Sequence, residues 1–67
     1  MEKQNEKARL YYLVKAQYHN CVSSASFARA DACASDTEKS RDMHLATAAA
    51  FEQVAGWLKS IIDESKP

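Results

Sequence analysis

Glycine and proline are almost missing from this chain: there is one of each, Gly56 and Pro67. With no breaker inside residues 1–55, long helices are the natural reading. No stretch alternates apolar and polar residues with a period of two, so no strand is expected. No apolar run approaches the about 18 residues of a membrane span, and no signal-peptide pattern is present. The expectation is a cytoplasmic protein. Net charge is also missing, with nine basic residues against nine acidic ones. A strong nonspecific polyanion binder needs a positive field, and this balance does not supply one.

Chemical motifs are equally scarce. There is no CxxC, HxxxH or ExxH spacing, no Gly-rich phosphate loop and no nucleophile elbow. The available ligand types are His19, Cys21, Asp31, Cys33 and His44. Cys21 and Cys33 stand about 18 Å apart on a single helix, at 1.5 Å per residue. They can share neither a metal ion nor a disulfide within one chain. His19 and Cys21 are two residues apart and point to different faces. The sequence therefore calls for no enzyme, no metal site and no cofactor. Free thiols fit a reducing compartment, and Cys21 reads as a small buried hydrophobe.

What is abundant is alanine, in a periodic setting. Tyr11, Val14, Tyr18, Cys21, Ala25, Ala28 and Ala32 are spaced 3, 4, 3, 4, 3, 4. That is a heptad seam, and it predicts a first helix over about residues 3–34. The serines at 23, 24 and 26 lower helix propensity by only tenths of a kcal/mol each. A break at Ser23 or Ser24, giving three short helices, is the alternative. Ser35 followed by Glu38 forms a capping-box pattern, with Asp36 adding negative charge at the new N-terminus. It predicts a short turn near 34–37 and a second helix over about 37–64.

The second helix carries two apolar stripes side by side. One is Met43, Thr47, Ala50, Val54, Trp57 and Ile61; the other is His44, Ala48, Phe51, Ala55, Leu58 and Ile62. A hairpin turning near residue 36 would set Tyr11 against Ile61, Val14 against Leu58 and Tyr18 against Val54. Cys21 would then meet Phe51, Ala25 would meet Thr47 and Ala28 would meet His44 beside Met43. The fold class expected is all-α, an antiparallel helical hairpin forming a single domain, 1–67. A chain of this size buries only about 60% of its unfolded surface, and small scaffolds usually need a staple or a partner chain. The second helix is apolar over more of its circumference than one neighbour can cover. A homodimeric four-helix bundle is therefore expected, with Phe51, Ala55, Leu58 and Ile62 at the oligomer interface.

Two surfaces suggest function. Ala16, His19, Ser23, Ser26, Ala30 and Cys33 form a stripe of small residues beside the first seam. The plain reading is close helix packing in the oligomer. The functional reading is a shallow polar groove in which His19, Ser23 and Ser26 supply hydrogen bonds. Aromatic anchors for a protein partner are Tyr11, Tyr12, Tyr18, Phe27 and Trp57, with Tyr12 preferred because the seam does not need it. The partner-binding set is thus Tyr12, His19, Ser23, Ser26 and Phe27. The second surface is the basic start of helix 1, where Lys3, Gln4 and Lys7 share a face that can meet phosphates.

That start, with its Lys3-Gln4 pair and then Glu6-Lys7, is similar to the opening of the Rop family of plasmid RNA-binding regulators (RNA one modulator). The resemblance spans fewer than ten residues. It implies a hairpin that dimerises into a four-helix bundle and binds paired RNA loops. Lys3, Lys7, Lys15 and Gln17 would then face the RNA. The functional expectation from the residues themselves is a non-enzymatic regulator, inhibitor or adaptor, of a size common in mobile elements, that binds a protein partner through a helix face. RNA binding comes second, and sequestration of a small ligand between subunits third.

Overall fold

The computed structural model describes residues 2–65, with side chains described from residue 5 onward. Two helices pack side by side as an antiparallel hairpin: α1, Glu2–Cys33, and α2, Glu38–Glu64. Their Cα envelope is 55 × 14 × 11 Å. α1 runs unbroken through Ser23–Ser26, which removes the three-helix alternative. The heptad seam continues through that stretch, and its packing outweighs the small propensity cost of the serines.

The turn differs from the capping-box expectation in one respect. Thr37, not Ser35, is the N-cap of α2: its backbone is extended and its hydroxyl accepts from the Ser40 amide at 3.1 Å. Ser35 belongs to the end of α1, where its Oγ donates to the Asp31 carbonyl at 2.8 Å. α1 closes without a glycine. The Ala34 amide reaches Ala30 O at 3.1 Å, and the Ser35 amide reaches Ala32 O at 3.2 Å, a tightened last turn. No described residue has a positive φ, so no left-handed cap is used.

The seam of α1 lies where the heptad puts it. Tyr11, Val14, Tyr18 and Cys21 are half-buried, and Ala25, Ala28 and Ala32 are buried. On α2 the buried residues are Ala48, Ala55 and Ile62, flanked by half-buried His44 and Leu58. The second of the two apolar stripes therefore faces α1. The first, from Met43 to Ile61, lies outside.

Buried residues follow one another from the turn outward on both helices, Ala32, Ala28 and Ala25 on α1 and Ala48, Ala55 and Ile62 on α2. The ion pair from Arg29 to Glu52 joins Arg29 to a residue further along α2 than a turn centred on residue 36 would give. The choice of stripe is a matter of size. Alanines at 48 and 55 let two helix backbones approach closely; Met43, Val54 and Trp57 would hold them apart.

Candidate functional site

The seam divides the hairpin's surface into two flanks of different chemistry. One flank is fixed by the ion pair between Arg29 and Glu52. Around it lies a shallow open groove of about 290 Å³, lined by Tyr18, Val22, Ala25, Ser26, Arg29, Glu52, Ala55, Gly56 and Lys59. Lys15, one turn or so from this groove, has its ammonium 5.9 Å from the Tyr11 ring centre. This flank is charged, and both partners of its ion pair are about half exposed. Such a pair contributes at most about 1 kcal/mol.

The opposite flank is apolar. Leu10, Leu13 and Phe27 come from α1; Met43, Val54, Trp57 and Ile61 come from α2, with Phe51 at the edge of the seam. Phe27 is 73% exposed, Met43 62% and Trp57 61%. Between Leu10 and Phe27 the α1 positions on this flank are Leu13, Gln17, Asn20 and Ser24. Between Met43 and Ile61 the α2 positions are Thr47, Ala50, Val54 and Trp57. None carries a charge. The acids Glu6, Asp31 and Glu64 lie on this side just beyond those stretches of their own helices.

This inverts the usual placement. Among the described residues, those buried are alanines and Ile62, and no large side chain is fully buried, whereas the bulky apolar side chains stand outside. Met43, Val54, Trp57 and Ile61 share one exposed side of α2, whereas on α1 the polar Gln17, Asn20 and Ser24 separate Leu13 from Phe27.

The residues expected from the sequence fall as follows. Tyr12, His19 and Ser26 recur every seven residues along the charged flank, all exposed. The Tyr11 and Tyr12 rings pack edge to face with centres 5.1 Å apart, and Tyr18 and His19 do so at 5.4 Å. Ser23 lies on the outer crest of α1. Phe27 lies past that crest on the apolar flank, so the five proposed partner contacts do not form one patch. Of the expected oligomer contacts, Ala55 and Ile62 are buried against α1 and Leu58 is half-buried. Only Phe51, at 36% exposure, reaches the apolar flank. Those residues seal the hairpin itself; the surface available to another chain is the neighbouring stripe.

The basic set is also dispersed. Lys7 is exposed on the line of the seam near the start of α1, Lys15 is exposed toward the charged side, and Gln17 lies on the apolar flank. The side chain of Lys3 is outside the described residues. Cys21 is half-buried in the seam and Cys33 exposed near the turn. No described helix is long and apolar enough to cross a membrane.

The surface that sequence reasoning missed is the apolar flank as an outer face. Two signals point to it: the bulk of Met43, Val54 and Trp57 against the alanines one residue on, and the lack of charge along those stretches of α1 and α2. No protein-family model matches the chain, and no curated protein or solved structure does.

Proposed function

We propose that this protein is a non-enzymatic helical-hairpin binding module, a small regulator, inhibitor or adaptor that acts by associating with another polypeptide through a helix face. One observation supports this above the others. Phe27, Met43 and Trp57 are largely exposed on a single flank while alanines fill the seam. Water-exposed aromatic and methionine side chains on a rigid helix pair are the usual anchors of a helix-face contact. The scaffold costs little ordering on binding, because both helices are already formed.

The test is capture from the cells of origin with the tagged full chain and a Trp57→Glu/Val54→Glu variant, with and without nuclease. The reading expects polypeptides that stay bound from about 50 to 200 mM salt, where a phosphate-dominated complex would weaken steeply. It expects the variant to lose them. Equal capture by both proteins sinks the reading. Capture abolished by nuclease sinks it too, and favours an RNA complex instead.

A further inference from the structure

No further inference is drawn: the strongest candidate, the shallow groove on the charged flank where Ala25, Ser26, Ala55 and Gly56 lie beside the Arg29–Glu52 pair, is lined by small residues and a half-exposed ion pair, and nothing in the structure shows what covers it.

Discussion

Gly56 sits in the interior of α2, where glycine costs about 1 kcal/mol relative to alanine. A Cβ built there meets nothing within 4 Å. Gly56→Ala should therefore stabilise the fold by about 0.5–1 kcal/mol in urea unfolding. A loss instead would mean that another chain lies against this position on the charged flank. Thr37→Ala should cost about 1 kcal/mol, because it leaves the Ser40 amide without its partner. Ser35→Ala should cost less, since the Ser35 hydroxyl donates to a carbonyl of the preceding turn and accepts only a long bond, 3.3 Å, from the Ser40 hydroxyl, leaving no backbone amide without a partner. The opposite order in a denaturant series would restore Ser35 as the cap. At this scale the sequence was ambiguous: both residues are good N-caps, and only the closing turn of α1 decided between them.

At the scale of the helix, α1 was legible and α2 was legible only in part. The α1 seam has one apolar or small residue at each heptad position, so its rotation about its own axis is determined by pattern. α2 has two adjacent stripes, both apolar, and periodicity alone gives them equal standing. Packing distance separated them. Ala48 is fully buried, and replacing it with leucine should force the helices apart at a cost of about 1–3 kcal/mol. The same change at Ala50, on the outer stripe, should leave the unfolding free energy of a dilute monomer within about 0.5 kcal/mol. Equal costs at the two positions would contradict the assignment of the seam. The Arg29–Glu52 pair joins the helices across the charged flank, and its alanine double-mutant cycle should give a coupling below about 1 kcal/mol that shrinks with salt.

For the whole molecule, an alanine seam buries little apolar surface and a bulky outer flank stays in water, so any association that covered the flank would add to stability. If a second copy covers the flank, the melting temperature should rise with protein concentration, because dimerisation stabilises the folded state by mass action. A melting temperature constant over a hundredfold concentration range, about 10 to 1,000 µM, would show that the hairpin is stable by itself. The candidate interaction surface was half visible in the sequence. Trp57 and Phe27 were recognisable as anchors by residue type. Their union on one flank was not, since α1 and α2 contribute to it from opposite ends of the chain. The stripe from His19 to Cys33 was visible as a pattern of small residues, but it lies on the charged side and crest of α1, away from the bulky side chains.

The sequence by itself determined two helices, the turn between them, and the face of α1 that turns inward. These follow from local propensity, from the lack of breakers before Gly56 and from a heptad spacing that allows one solution. Only the tertiary structure decided the register of α2, the stripe it buries and hence the stripe it leaves in water. Those depend on how closely two backbones can approach. That distance is set by which alanines of α1 and α2 meet, a property of the pair that neither helix carries alone.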